Sequence, residues 1–153
     1  KLDLIDTGHQ SAKSGKPFLG ICLGLQLLFN QAEEFGHVDG LGILPGKVVG
    51  FKDAQLKSDS GDPLKIPHMG WNQVRVTPGN PLFDSVADES YFYFVHSYYI
   101  VPDDPAIIAT TTCYGIEFTS GIHQENIHAF QFHPEKSQRL GLTMLKNFSQ
   151  LHH

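Results

Sequence analysis

Cysteine is scarce: the 153 residues contain only Cys22 and Cys113. Two cysteines in a chain of this length do not make a disulfide framework, so a reduced, cytoplasmic setting is expected. Charge is scarce as well. Asp, Glu, Lys and Arg make up 18% of the chain, against about a quarter in ordinary soluble domains. Such a weakly polar surface suits a protein that works docked against another. Lys and Arg number 11 against 16 Asp and Glu and never cluster, which excludes the basic footprint of a nucleic-acid binder. No apolar run approaches the ~20 residues needed to span a bilayer, so no membrane role is expected. No signal peptide, repeat, low-complexity tract or linker breaks the chain, and one domain over residues 1–153 is expected.

What is present is a core-forming chain, 41% hydrophobic. Leu2, Leu4 and Ile5 at helical spacing, stopped by Gly15 and Pro17, predict a helix over residues 2–14. Phe18-Leu19-Gly20-Ile21 is suited to a buried parallel strand. Leu25, Leu27, Leu28 and Phe29 predict a helix over residues 24–31. Between Gly36 and Ser120 the chain changes to short β-branched and aromatic runs, such as 47–51, 73–76 and 91–95, separated by Gly, Pro and Asn, which predict hairpins. Residues 52–63 are polar and predict an exposed loop. A further strand is expected over 127–132 and an amphipathic helix over 139–151, with Leu142, Leu145, Phe148 and Leu151 at core spacing. The pattern is α/β with added antiparallel strands.

Chemistry concentrates at two predicted strand ends. Gly20-Ile21-Cys22-Leu23-Gly24 has the form of a nucleophile elbow. A sharp strand-to-helix turn crowds its neighbours, glycine relieves the crowding, and the side chain is pushed out of the sheet. The helix N-terminus behind it favours thiolate, so the Cys22 pKa is expected to fall. The Leu23 N–H is placed to hold an oxyanion. At the second strand end His133-Pro134-Glu135 offers a base and an acid to orient it. The plainer alternatives are a small buried cysteine and a surface histidine before a turn proline. Each stands alone, but both are needed together to explain the pair. His68 and His96 lie in no ligand-spaced cluster, and no metal or cofactor is expected. Cys113, among threonines in a predicted strand, is expected in the core.

Lys16-Pro17-Phe18-Leu19-Gly20-Ile21-Cys22-Leu23-Gly24-Leu25-Gln26-Leu27-Leu28-Phe29 resembles the nucleophile segment of the triad-type, class I glutamine amidotransferases. Gln131-Phe132-His133-Pro134-Glu135-Lys136-Ser137 resembles their His/Glu segment. Pro67-His68-Met69-Gly70-Trp71-Asn72 and Tyr93-Phe94-Val95-His96-Ser97-Tyr98 resemble one branch, the glutaminase subunits of imidazole glycerol phosphate synthase. The resemblance runs from Gly15 to the C-terminus. It implies a flavodoxin-like parallel sheet with an antiparallel extension, and a glutaminase that works without cofactor. It also implies a heterodimer with a (β/α)₈-barrel cyclase that receives the ammonia for histidine biosynthesis. Residue by residue it makes Cys22 the nucleophile, His133 the base and acid, Glu135 its orienting partner and Leu23 an oxyanion donor. Gly24, Gln26, Glu34, Ser97 and Tyr98 would hold glutamine, and Trp71, Asn72, Tyr93 and Lys136 would face the cyclase. The family also has an N-terminal stretch with early strands and a Pro-Gly-Val-Gly loop carrying a second oxyanion donor, which residues 1–21 do not contain. The resemblance therefore implies an N-terminally incomplete domain, a slow glutaminase on its own, and an exposed sheet edge. The alternatives are the glutaminase of another amidotransferase, such as that of anthranilate or pyridoxal phosphate synthesis, and a non-catalytic binding module derived from one.

Overall fold

Helix α1 (Leu2–Lys13) ends where Gly15 takes a φ of 75°, a left-handed conformation open to glycine. The Asn126 side chain holds this end, donating to the carbonyls of Ala12 at 3.0 Å and Lys16 at 2.8 Å. The chain is thereby delivered into strand β1 (Phe18–Ile21), whose first N–H donates to the Asn126 carbonyl. The computed structural model describes residues 2–32, 38–53 and 56–151.

After β1 come α2 (Leu23–Gln26), β2 (Phe29–Ala32), β3 (Val38–Asp39), β4 (Leu44–Gly50), β5 (His68–Val76), β6 (Ser90–His96), β7 (Tyr98–Pro102), β8 (Ile108–Cys113), β9 (Glu117–Gln124), β10 (Ile127–Phe130) and α3 (Gln138–Ser149). The strands form one ten-stranded sheet in the order β3-β2-β4-β7-β9-β8-β5-β6, with β10 on β9 and β1 on β10. Pairing is parallel for β1 with β10 and β2 with β4, and antiparallel elsewhere. The expected α/β sheet with an antiparallel extension is thus present, and the antiparallel part is the larger among the described strands.

Two of the expected elements differ. The helix expected over 24–31 stops at Gln26, and Phe29–Ala32 is a strand paired in parallel with β4. Leu28 and Phe29 are both fully buried, and the Leu28 carbonyl accepts from Ile43 and Leu44. An apolar run this short fits either element, and the available sheet edge decides it. The polar segment over 52–63 is anchored rather than free: Leu56 is buried, and Lys57 bridges to Pro63 around a tight turn. Residues 54–55 lie outside the described part.

The core has two lobes. One gathers Phe51, Phe92, Phe94, Phe118, Phe130 and Phe132 with Met144 of α3. The other gathers Leu25, Leu28, Phe29, Val48, Ile100 and Ile122. α3 lies tight against the turn over Pro134–Lys136 because Gly141 has no side chain, and a Cβ there would overlap the Pro134 carbonyl.

Three histidines are part of this interior: His68, His96 and His128 are each about 95% buried or more. Burial pushes the pKa of His68 down to about 3, with His96 adding to it. Burial likewise pushes His96 and His128 down to about 4. All three stay neutral in the fold while the unfolded chain takes up protons below about pH 6.5. The unfolded state then binds more protons, so stability falls as pH falls through that window. The urea midpoint is therefore expected to drop steadily between pH 7 and pH 4.5. A midpoint flat over that range would contradict the buried neutral rings.

Candidate active site

Cys22 follows β1 and opens α2 with φ 52° and ψ −106°, a left-handed backbone at a residue with a Cβ. Such strain costs about 1–3 kcal/mol and persists only where the surroundings impose it. The imposing contacts are explicit. The Cys22 N–H donates to the Phe130 carbonyl at 2.8 Å, and the Cys22 carbonyl accepts from Leu25 at 3.0 Å and Gln26 at 3.3 Å. Gly20 is sterically required: a Cβ there would stand 2.9 Å from the Ala129 Cβ and 3.0 Å from the Gly24 backbone. Gly24 is not, since a Cβ there meets nothing within 4 Å. The crowding expected at both glycines holds at one.

The thiol is half-buried, with the Sγ–H donating to the Val95 carbonyl at 3.9 Å and Sγ accepting from Gln131 Nε2 at 3.5 Å. Burial raises its pKa. The Leu23 N–H and the Gln131 amide pull it down, Glu135 adds to the rise and Lys136 opposes it, and burial wins. The expected fall does not occur, because α2 is a single turn of four residues and supplies little dipole against the desolvation. Cys113, expected in the core, is exposed at the end of β8, where the strand's alternation buries Thr112 instead.

His133 lies beyond β10, with its N–H on the Tyr93 carbonyl at 2.9 Å. Its Nδ1–H donates to Glu135 Oε1 at 2.6 Å, a short charge-assisted bond to a half-exposed carboxylate. In the neutral ring a proton on Nδ1 leaves the lone pair on Nε2, which is buried and has no hydrogen-bonding partner among the described residues. Ser137 locks the segment: its Oγ donates to the His133 carbonyl at 2.6 Å and accepts from the Tyr93 N–H at 3.0 Å.

The remaining residues singled out by sequence divide. Gln26 Nε2 donates to Gln131 Oε1 at 3.0 Å and to the Tyr98 carbonyl at 3.4 Å. That carbonyl also accepts from His96 Nδ1, so both its lone pairs are engaged, and the Ser97 carbonyl accepts from Phe51. Glu34 lies outside the described residues. Trp71 and Tyr93 meet edge to face at 6.0 Å, and Lys136 Nζ stands 6.0 Å from the Tyr93 ring. Asn72 does not join this cluster, because its amide turns to the Cys113 carbonyl at 2.8 Å and His68 Nε2 at 3.2 Å. Sequence reasoning gave no role to Gln131, which touches the sulfur, although it opens the His/Glu segment. It also left unpaired His68 and His96, whose rings meet at 2.8 Å across β5 and β6.

A family model described as Glutamine amidotransferase class-I matches residues 3–151. The chain belongs to the class-I glutamine amidotransferases. It is 52% identical over 140 residues to the imidazole glycerol phosphate synthase subunit HisH of Syntrophotalea carbinolica, covering 91% of this chain and 66% of that one. It is 49% identical over 148 residues to the protein of the same name from Methanocaldococcus jannaschii, covering 97% and 70%. Among solved structures, a putative GMP synthase subunit from Thermoplasma acidophilum superposes with a TM-score of 0.61 at 25% identity, over 96% of this chain and 63% of that one. The glutaminase domain of Trypanosoma brucei CTPS has the same fold, with a TM-score of 0.57 at 15% identity over 97% and 66%. This amidotransferase chain thus spans just under two thirds of the length of the first curated relatives it matches.

Two outcomes are expected of the elbow. Gly20→Ala should cost about 1–3 kcal/mol through overpacking, whereas Gly24→Ala should leave the unfolding free energy from urea titration within about 1 kcal/mol of the parent. Iodoacetamide labelling of Cys22 should follow an apparent pKa above the ~8.5 of a free thiol. A rate already saturated at pH 7 would show a thiolate and refute the buried thiol.

Proposed function

We propose that this chain is the glutaminase part of an imidazole glycerol phosphate synthase, supplying ammonia from glutamine to a cyclase subunit. The observation that carries it is the state of His133: Nδ1 held by Glu135, and a buried, unpartnered lone pair on Nε2. A buried polar atom without a partner is costly, and its use is as a base. The names of the relatives at about half identity support the branch, and residues 1–153 are read as one partial domain of it.

The chemistry proceeds in balanced steps. The Cys22 thiol turns from the Val95 carbonyl to His133 Nε2 and gives up its proton. The thiolate attacks the carboxamide carbon of glutamine, and the Leu23 N–H steadies the oxyanion. Protonated His133 passes its proton to the leaving nitrogen, and ammonia departs. Water then hydrolyses the glutamyl thioester to glutamate, with His133 taking the water's proton and returning it to the departing Cys22 sulfur. Glu135 holds the imidazole in the required tautomer throughout. The raised pKa of the thiol makes His133 necessary, since little thiolate is present beforehand. The open space beside Gly24 leaves room for the substrate. Gly24, Gln26, Glu34 and Ser97 are assigned to glutamine. Tyr98 is also assigned, through backbone other than its engaged carbonyl.

Trp71, Tyr93 and Lys136 are assigned to the cyclase contact, with Asn72 behind them. Trp71 is 46% exposed and Tyr91 beside it 54%. Both line an open groove of about 470 Å³ with Ser137 and Leu140. Exposed aromatic anchors of this kind carry binding energy at interfaces. The reaction requires no metal, and the heterodimer is assigned to the cytoplasm. Among the described helices, none is long and apolar enough to cross a membrane.

The test couples the chain to a cyclase subunit. Cys22→Ala is expected to abolish glutamine-driven synthesis while added ammonium salt still drives it. His133→Ala should lose nearly as much, and Glu135→Gln less, and because the groups act as a unit the losses should not add. Synthesis still driven by glutamine in folded Cys22→Ala would overturn the reading. Glutamate release absent from the parent, with and without the cyclase, would favour a binding module.

A further inference from the structure

The hydrogen bonds around His68 and His96 have only one consistent direction. The Tyr98 carbonyl can only accept, so His96 donates from Nδ1 at 2.8 Å. A neutral His96 then presents a lone pair at Nε2, and His68 donates to it from Nδ1 at 2.8 Å. His68 in turn accepts at Nε2 from Asn72 Nδ2 at 3.2 Å. The Asn72 amide cannot be reversed, because its Oδ1 accepts from the Gln73 N–H at 2.8 Å and its Nδ2 donates to the Cys113 carbonyl at 2.8 Å. At the other end the Tyr98 carbonyl also receives Gln26, which donates to Gln131, which donates to Cys22 Sγ at 3.5 Å. One unbroken chain joins Asn72, half-buried on β5, to the sulfur. His96 Nδ1 fixes the backbone at the start of β7, and the carbonyl of Val95, just before His96, holds the thiol proton.

We propose that Asn72, His68 and His96 form a positioning relay for Cys22, setting through the Tyr98 carbonyl where Gln26 and Gln131 hold the sulfur. The proposal rests on the reading of Cys22 as the nucleophile. It differs from core packing in what it demands. The His68 ring stacks against Phe94 and Tyr114, and the His96 ring tilts against Phe94 and Phe118, whatever their protons do. The relay, by contrast, requires both histidines to be neutral and both to carry the proton on Nδ1, the less common tautomer of free histidine. Their burial, and the depression of both pKa values that it causes, keep the rings neutral.

Nitrogen NMR of the intact chain at pH 7 should show His68 and His96 both as Nδ1–H tautomers, with a coupling across the His68 Nδ1–H···Nε2 His96 bond. Asn72→Asp offers only acceptors, so the proton on His68 should move to Nε2 and break the chain at His96. Asn72→Ala, and His68→Phe, which keeps the stack, should change the rate of iodoacetamide labelling at Cys22 by about threefold or more, the size expected for one lost hydrogen bond. Met69→Ala, one residue from His68 but outside the chain of bonds, should leave the rate unchanged. An Nε2–H or cationic ring in the parent would overturn the proposal. So would parental labelling rates in whichever of Asn72→Ala and His68→Phe folds. Neither readout needs glutamine turnover, so the glutaminase reading can fail while the relay stands, and the reverse.

Discussion

The parallel ladder between β1 and β10 is the constraint on which the site depends. Phe18 to Ile21 pair with Ile127 to Phe130, and the Cys22 N–H continues the ladder onto the Phe130 carbonyl. Parallel pairing places both C-terminal ends at the same edge of the sheet. The residues that follow each strand, Cys22 on one and His133 on the other, are thereby brought to one end from positions over a hundred residues apart. Antiparallel pairing would send them to opposite edges. The ladder also imposes the left-handed backbone at Cys22, because the chain must leave the strand while its N–H is still bound to β10.

Given that frame, the state of the thiol is a contest between burial and donors. The Leu23 N–H and Gln131 favour charge on sulfur, and desolvation opposes it and wins. An exposed thiolate would react with any electrophile, whereas a buried thiol reacts only when a base is brought to it. In the proposed reaction His133 is that base, with Nδ1 committed to Glu135 and Nε2 without a partner among the described residues. In the proposed reaction, selectivity would come from keeping the thiol protonated until one imidazole takes the proton.

Much of this was legible in the sequence, and the parts that were not share a cause. β1, β10 and α3 follow from local pattern, and the elbow at Cys22 and the His133–Glu135 hydrogen bond from the short motifs that contain them. The helix assigned to Phe29 failed because Leu-Leu-Phe fits a helix or a strand, and only the free edge of β4 selects the strand. The thiol pKa failed because it depends on burial, which is a property of the whole fold. Gln131 and the His68–His96 pair were invisible because their partners lie far off in sequence: Cys22 is 109 residues from Gln131, and His68 is 28 from His96. Polar groups that pair across strands leave no periodic trace.

The exposed aromatic cluster and the interior polar network meet on two strands. On β5, Trp71 faces outward beside Tyr93, while the next residue, Asn72, turns its amide to Cys113 and His68. On β6, Tyr93 lies under Lys136, and its backbone is bound on both sides: the N–H to Ser137 and the carbonyl to His133. A load applied to Tyr93 therefore reaches the His133 backbone through one hydrogen bond, and a load on Trp71 reaches the head of the Asn72 chain through one peptide. Both routes run through backbone held in the β5–β6 ladder, which cannot yield at one residue without shifting its partner. The two routes of bonds end at His133 and Cys22, the two groups to which the proposed reaction assigns the proton transfer.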